Sequence, residues 1–218
     1  ADYYQSSPVV YNSNIYFGMG DFLYAIHATT GKTLWTFRTG NLVHTKPAIA
    51  NDKVVFGSFD GYLYALHAQT GNLVWKFKSV GQRYFPNGEM TGNPVIMRNT
   101  VFAGSRDYNF YAIDLNAGFC YWNKQFPRGW ALSANVVNDS ILYLGTSDDY
   151  LMLALDPRTG AEKWRAELKY NIFGGIAVDG NRGYVGTLMG KLFTIDLTNG
   201  HVLSVFEGDG YKTNNVRY

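Results

Sequence analysis

Ala25-Ile26-His27-Ala28-Thr29-Thr30-Gly31-Lys32-Thr33-Leu34-Trp35 returns 40 residues later as Ala65-Leu66-His67-Ala68-Gln69-Thr70-Gly71-Asn72-Leu73-Val74-Trp75. It recurs as Ala112-Ile113-Asp114-Leu115-Asn116-Ala117-Gly118-Phe119-Cys120-Tyr121-Trp122 and as Ala154-Leu155-Asp156-Pro157-Arg158-Thr159-Gly160-Ala161-Glu162-Lys163-Trp164. A fifth, weaker copy runs from Thr194 through Asp196 and Gly200 to Ser204. The turn glycines Gly31, Gly71, Gly118, Gly160 and Gly200 are separated by 40, 47, 42 and 40 residues. A second marker keeps step: Pro8, Pro47, Pro94, Asn135 and Ile176 each stand 10 residues before Gly18, Gly57, Gly104, Gly145 and Gly186. Two markers in register over five copies identify a repeat protein, and the period decides which kind.

Each unit holds four short β-rich runs. In the first they cover roughly 7–11, 15–18, 22–28 and 33–38, divided by Asn, Gly and Asp turn signals. Four strands in 40 to 47 residues is the period of a propeller blade. The expected fold is therefore an all-β propeller of four-stranded antiparallel blades, five of them in this chain. As one domain over residues 1–218, the repeats fall at about 6–43, 44–85, 86–129, 130–172 and 173–208. One segment argues locally for helix: 161–173 lacks Pro and Gly and carries Glu, Lys, Arg, Ala and Leu. Trp164 nevertheless falls where Trp35, Trp75 and Trp122 fall, so strand is expected there.

The repeated residues have structural work to do. Gly31, Gly71, Gly118 and Gly160 suit hairpin positions of positive φ, and the Asp four residues earlier can fold its carboxylate onto nearby N–H groups. Trp35, Trp75, Trp122 and Trp164 enter the outermost strand, where each indole can pack one blade on its neighbour. The small Ala25, Ala65, Ala112 and Ala154 leave room for that ring.

Composition supports a packed core. Of 218 residues 46% are hydrophobic and 17% charged, which excludes a disordered chain. Lys and Arg number 19 against 17 Asp and Glu, so no cationic surface for nucleic acid is expected. No apolar run reaches the roughly 20 residues of a membrane-spanning helix. The single cysteine, Cys120, cannot form a disulfide within the chain; it is expected to be buried on the face it shares with Trp122. The chain opens Ala1-Asp2-Tyr3-Tyr4 without a leader pattern and reads as a mature or excised piece.

The motif Ala-x-Asp-x-x-x-Gly-x-x-x-Trp is similar to the tryptophan-docking motif of the PQQ-like (pyrroloquinoline-quinone-type) β-propeller repeats, found in quinoprotein alcohol dehydrogenases and in BamB-type outer-membrane-assembly propellers. The resemblance covers nearly the whole chain and is specific for fold more than for function. His27 and His67 depart from it at the Asp position, and Thr194 and Ser204 depart in the last copy. Rings of this family, by resemblance, have seven or eight blades. Five blades either close a small ring or form part of a larger one, and the second is the expectation.

In an antiparallel blade the second-to-third-strand loops and the inter-blade loops share one end. The inter-blade loops, at about 39–46, 79–91, 125–132 and 169–175, carry His44, Lys46, Arg83, Tyr84, Arg128, Trp130 and Tyr170, along with Phe85, Glu89 and Phe173. Trp130 is the one tryptophan outside the repeating register. Basic groups interleaved with aromatics suit a peptide, an acidic ligand or a sugar; equally, they can plug the channel and cover blade edges. Asp21, Asp60, Asp107, Asp148 and Asp149 recur in the second-to-third-strand loops and are read as turn aspartates rather than calcium ligands.

The four histidines lack zinc-ligand spacing, and Gly31-Lys32-Thr33 lacks the rest of a phosphate loop. Asn138-Asp139-Ser140 matches a glycosylation acceptor. No catalytic residues, metal or cofactor are expected. The favoured function is a non-catalytic scaffold for a protein or peptide partner, BamB-like, in a periplasmic or cell-envelope setting implied by the resemblance. Part of a PQQ-dependent dehydrogenase and the sensor domain of a membrane-bound kinase stand as alternatives. The first of these asks for a vicinal cysteine pair and calcium-binding acids inside an eight-bladed ring, which a lone Cys120 does not supply.

Overall fold

The computed structural model describes residues 6–137 and 140–208, without the side chains of residues 133 and 135–137. Asn138 and Asp139 of the glycosylation sequence, and the chain ends at 1–5 and 209–218, lie outside the described residues. The described residues form twenty strands in five antiparallel sheets, each in simple up-and-down order. Blade 1 is β1 (Val9–Tyr11), β2 (Asn14–Met19), β3 (Phe22–His27) and β4 (Thr33–Arg38). Blade 2 is β5 (Ala48–Ala50), β6 (Lys53–Gly57), β7 (Tyr62–His67) and β8 (Leu73–Lys78). Blade 3 is β9 (Val95–Met97), β10 (Thr100–Gly104), β11 (Asn109–Asp114) and β12 (Cys120–Gln125). Blade 4 is β13 (Ser133–Val137), β14 (Ile141–Gly145), β15 (Leu151–Leu155) and β16 (Glu162–Glu167). Blade 5 is β17 (Ile176–Asp179), β18 (Arg182–Gly186), β19 (Lys191–Asp196) and β20 (Val202–Glu207).

The segment with local helix propensity is strand: Trp164 lies in β16, opposite Ala154. Packing of the indole outweighs the small helix preference of Glu, Lys and Ala. The first strands β5, β9 and β13 lie against one another, so they are the inner strands.

The core is divided among the gaps between blades. Tyr16, Leu23 and Ala25 of blade 1 meet Val54, Phe56, Tyr64 and Leu66 of blade 2. Val55, Leu63 and Ala65 of blade 2 meet Val101, Ala103, Tyr111 and Ile113 of blade 3. Val54 and Val55 thus serve opposite neighbours, as strand alternation requires. Two further clusters join blade 3 to blade 4 and blade 4 to blade 5.

Four indoles cross these gaps. Trp35 Nε1 donates to the Ala68 carbonyl at 2.9 Å, Trp75 to Leu115 at 2.8 Å, Trp122 to Pro157 at 3.2 Å and Trp164 to Leu197 at 2.8 Å. Each ring lies over the turn glycine of the next blade. A Cβ at Gly71 would come within 2.6 Å of the Trp35 ring, and one at Gly118 within 2.7 Å of the Trp75 ring.

In every blade the pairing of the outer two strands slips by one residue just before the Trp position, between Ala25 and Ile26, Ala65 and Leu66, Ala112 and Ile113, Ala154 and Leu155, and Thr194 and Ile195. This β-bulge sets each tryptophan opposite the small alanine. It also corrects the expectation for Cys120. Trp122 faces Ala112 while Cys120 faces the next residue, Ile113, so simple alternation fails across Tyr121, and Cys120 is exposed on the outermost strand.

Candidate functional site

The inter-blade loops and the second-to-third-strand loops meet at one end of the blades, tied by backbone hydrogen bonds in a repeating pattern. Phe59 N–H donates to Leu42 O, Arg106 to Glu89, Ser147 to Trp130 and Leu188 to Asn171. Leu42, Glu89, Trp130 and Asn171 therefore occupy equivalent positions, as do Phe59, Arg106, Ser147 and Leu188.

The recurring aspartates hold this scaffold together. Asp60 accepts from Gly40 N–H at 2.8 Å and from the Tyr64 hydroxyl at 2.6 Å. Asp107 accepts from Gly81 N–H at 3.2 Å, from Asn109 N–H at 2.9 Å and from the Tyr111 hydroxyl. Asp149 accepts from Gly129 N–H at 3.0 Å, with the Arg128 guanidinium 3.8 Å away. Burial, with the Asp60 carboxylate, pushes the Tyr64 hydroxyl far above its ordinary pKa; burial and Asp107 do the same for Tyr111. Both phenols stay donors. The aspartates spend their oxygens on backbone and tyrosine rather than offering them together.

On this frame sits one aromatic and cationic stack. The Arg106 guanidinium carbon lies 4.7 Å from the centre of the Trp130 ring, 5.1 Å from Phe85 and 5.9 Å from Phe59. Phe85 meets Trp130 edge-on at 5.4 Å, and His44 meets Phe59 edge-on at 4.6 Å. Among the described residues the Arg106 guanidinium has no carboxylate partner. Four buried side-chain atoms on the adjoining loops, Gln82 Nε2, Glu89 Oε2, Thr91 Oγ1 and Trp130 Nε1, find no hydrogen-bond partner there either. Each such atom costs about 1–3 kcal/mol unless something meets it.

A cavity of about 550 Å³ opens among the inner strands, and its lining includes Lys46 and Leu132, each two residues along the chain from a member of the stack, His44 and Trp130. Its walls are mainly apolar (Val9, Ile49, Val95, Leu132), with Lys46 and Asn93 as polar groups and no carboxylate. Lys46 N–H donates to Asn93 Oδ1 at 2.8 Å, which fixes the position of Lys46 beside the cavity.

The residues expected from sequence divide into groups. His44 and Trp130 join the stack, and Lys46 lines the cavity. Arg83 and Tyr84 form a separate exposed pair, guanidinium over ring at 5.8 Å. Arg128 is exposed and turned to Asp149. Tyr170 packs on Phe193 and under the Lys191 ammonium, and so serves the blade 5 core. Arg106 and Phe59 were not singled out from the sequence. Their shared offset, two residues after the strand-end glycines Gly57 and Gly104, was the available signal.

A family model described as outer membrane protein assembly factor BamB matches residues 4–129 and 60–205. No curated protein is a significant match. The crystal structure of BamB from Moraxella catarrhalis superposes with a TM-score of 0.77 at 20% identity, covering 93% of this chain and 61% of that one. Quinohemoprotein alcohol dehydrogenase from Comamonas testosteroni gives 0.82 at 21% identity, covering 93% and 42%. The computationally designed protein Ika8 gives 0.79 at 18%, covering 94% and 62%. At these identities the solved structures share the fold, and the chain spans about three fifths or less of each of their lengths.

Proposed function

The chain belongs to the BamB-type family of PQQ-like repeats, and from that premise we propose that it is a non-catalytic scaffold of the cell envelope whose loop face binds an extended segment of a partner protein. The observation that carries this reading is the Arg106 guanidinium, held against Trp130, Phe85 and Phe59 with no carboxylate among the described residues to neutralise it. The face also carries the cations Lys46 and Arg83 and one buried, unpartnered carboxylate oxygen, Glu89 Oε2, while Asp60, Asp107 and Asp149 are occupied by backbone N–H groups, tyrosines and arginine, and Asp148 by Ser147 and Asn171. An acidic segment with aromatic or aliphatic side chains fits this chemistry: carboxylates meet the guanidinium, and apolar groups enter the adjoining cavity.

The dehydrogenase alternative draws on the same fold, but the residues here do not fit its cofactor. Cys120 stands on the outermost strand β12, remote from the inner strands, and the cavity lining offers no carboxylate for calcium.

The test is titration of the chain with an acidic-aromatic peptide (alternating Glu and Phe) and with its Lys-Phe counterpart, followed by calorimetry at low and high salt. The acidic peptide is expected to bind more tightly and to weaken with salt. Arg106→Ala and Trp130→Ala should each lower its affinity about tenfold or more, while Arg158→Ala, on the opposite hairpin turns, should not. Equal binding of both peptides, or indifference to Arg106→Ala and Trp130→Ala, overturns the reading. Alcohol-dependent dye reduction after addition of PQQ and Ca²⁺ would favour the dehydrogenase instead.

A further inference from the structure

Tyr16 and Tyr143 occupy the same place in blades 1 and 4, two residues before the strand-end glycine and opposite the small alanine. Both are buried, and both rings lie tilted against the indole of their own blade, Tyr16 at 5.9 Å from Trp35 and Tyr143 at 5.8 Å from Trp164. Their hydroxyls differ. Tyr16 donates to the Ala68 carbonyl at 3.1 Å and accepts from Asn14 Nδ2 at 3.5 Å. Blade 4 has Ile141 at the Asn14 position, which cannot donate. The Tyr143 hydroxyl has no hydrogen-bond partner among the described residues, although the side chain is only 2% exposed. Burial pushes its pKa up, so the phenol stays a donor. Packing does not call for that hydroxyl. Phe102 holds the same position in blade 3 and meets Trp122 at 5.9 Å and 43°, against 5.8 Å and 41° for Tyr143 and Trp164.

Tyr143 lines a cavity of about 370 Å³ between blades 4 and 5, at the end of the blades opposite the loop face. That volume lies within the range of small-molecule sites. Ile141, Trp164 and Leu197 give it apolar walls, and the Leu197 carbonyl is already taken by Trp164 Nε1 at 2.8 Å. The exposed Lys163 brings a cation to the lining, at the position where the other blades carry Leu34, Val74 and Tyr121. No carboxylate lines the cavity. The carboxylates of the adjoining hairpin turns are engaged elsewhere. Asp156 accepts from Arg158 N–H at 2.8 Å, with the Arg158 guanidinium 3.7 Å away, and Lys163 adds a weaker attraction. Asp196 accepts from Asn181 Nδ2 at 3.1 Å and from Thr198 N–H at 2.8 Å.

We propose that this cavity binds a small aromatic acid that carries a hydrogen-bonding group at the end away from its carboxylate. The order of the lining groups sets the ligand. The unmet Tyr143 hydroxyl, at the buried end, takes the polar tip; Ile141, Trp164 and Leu197 take the ring; and Lys163, at the exposed end, takes the carboxylate. This inference is independent of the loop-face reading.

The probe is para-hydroxybenzoate, titrated into the chain and followed by ligand-observed NMR, with benzoate and para-hydroxybenzamide for comparison. A ligand of this size is expected to bind with a Kd of about a millimolar or tighter. Tyr143→Phe keeps the ring that blade 3 already uses at this position. It should weaken para-hydroxybenzoate about threefold to tenfold and leave benzoate unchanged. Lys163→Gln should weaken both acids about twofold to fivefold and leave para-hydroxybenzamide unchanged. Circular dichroism confirms that both variants keep the fold. Absence of saturable para-hydroxybenzoate binding to the unaltered chain overturns the proposal, as does an equal loss of para-hydroxybenzoate and benzoate in Tyr143→Phe. Binding that neither variant changes overturns it too, and places the acid elsewhere on the chain, the Arg106 stack included.

Discussion

The indole N–H of Trp75 donates to the Leu115 carbonyl at 2.8 Å across 40 residues of chain, and the ring above it is 7% exposed. The bond joins blade 2 to blade 3. Trp75→Phe keeps an aromatic ring but removes the donor, at an expected cost of about 1–3 kcal/mol, and Trp75→Ala should cost about 3–5 kcal/mol. Trp35→Phe should cost less, because Trp35 is only half-buried. Urea midpoints of the three variants check the order.

Gly118→Ala and Gly31→Ala form a matched pair. Both glycines have left-handed backbone, φ +74° and +67°, so both substitutions carry the same conformational strain of about 1–2 kcal/mol. Only at Gly118 would the Cβ collide with an indole, 2.7 Å from Trp75 Cδ2. Gly118→Ala is therefore expected to cost about 1–3 kcal/mol more than Gly31→Ala. Equal losses in thermal unfolding would show that the first turn is as crowded as the third.

The fold was legible in the sequence because the joint is built from local chemistry. A glycine of positive φ and a tryptophan four residues later sit on one hairpin, so the parts of the fold's main contact repeat as a short string, complete in four of the five copies. The bulge before each tryptophan left no residue signature, and Cys120 was misplaced by assuming unbroken alternation through Tyr121. The loop stack was half legible. His44 and Trp130 stand out as basic and aromatic loop residues, but Arg106 meets Trp130 only in the assembled blades, where Arg106 N–H holds its loop to Glu89 and Ser147 N–H holds the Trp130 loop to the next blade. Contacts of that kind depend on the assembled blades and leave no mark in either loop alone.

The hairpin aspartates predict a pH dependence. Burial raises the Asp114 carboxyl, but the Tyr121 hydroxyl and the N–H groups of Ala117 and Asn116 outweigh it and hold the group below its ordinary value. Asp156 is lowered first by the Arg158 N–H, and Asp196 by the Thr198 hydroxyl. In blade 1 His27 Nδ1 takes the equivalent N–H groups of Thr29 and Thr30, each at 3.3 Å. A carboxyl whose folded pKa lies below its unfolded value, about 3.9, stabilises the fold above that value. The contribution disappears as pH falls through the lowered folded pKa. Urea midpoints should hold steady down to about pH 4 and then fall, and Asp114→Asn should flatten part of that fall. An unchanged slope in the variant would remove Asp114 from the account.

Asp107 links stability to the recognition face. It is fully buried, and its carboxylate gathers Gly81 N–H, Asn109 N–H and the Tyr111 hydroxyl. Gly81 begins the loop that carries Phe85 to the Arg106 stack and Glu89 to its bond with Arg106 N–H. Asp107→Asn replaces one acceptor oxygen by an amide that can only donate: with the amide at the Oδ2 position Gly81 N–H and the Tyr111 hydroxyl both lose their acceptor, and with it at Oδ1 Asn109 N–H does, at an expected cost of about 2–3 kcal/mol. The released loop should also weaken the acidic-aromatic peptide, although Asp107 itself is sealed beneath the surface. Trp75→Phe is the control, because it costs a similar amount while acting at the perimeter of the blades. Measured where both variants are folded, Asp107→Asn should lower peptide affinity severalfold and Trp75→Phe should leave it unchanged. If Asp107→Asn is destabilised yet binds the peptide as the unaltered chain does, the 79–94 loop is a structural cover and the stack does not depend on it.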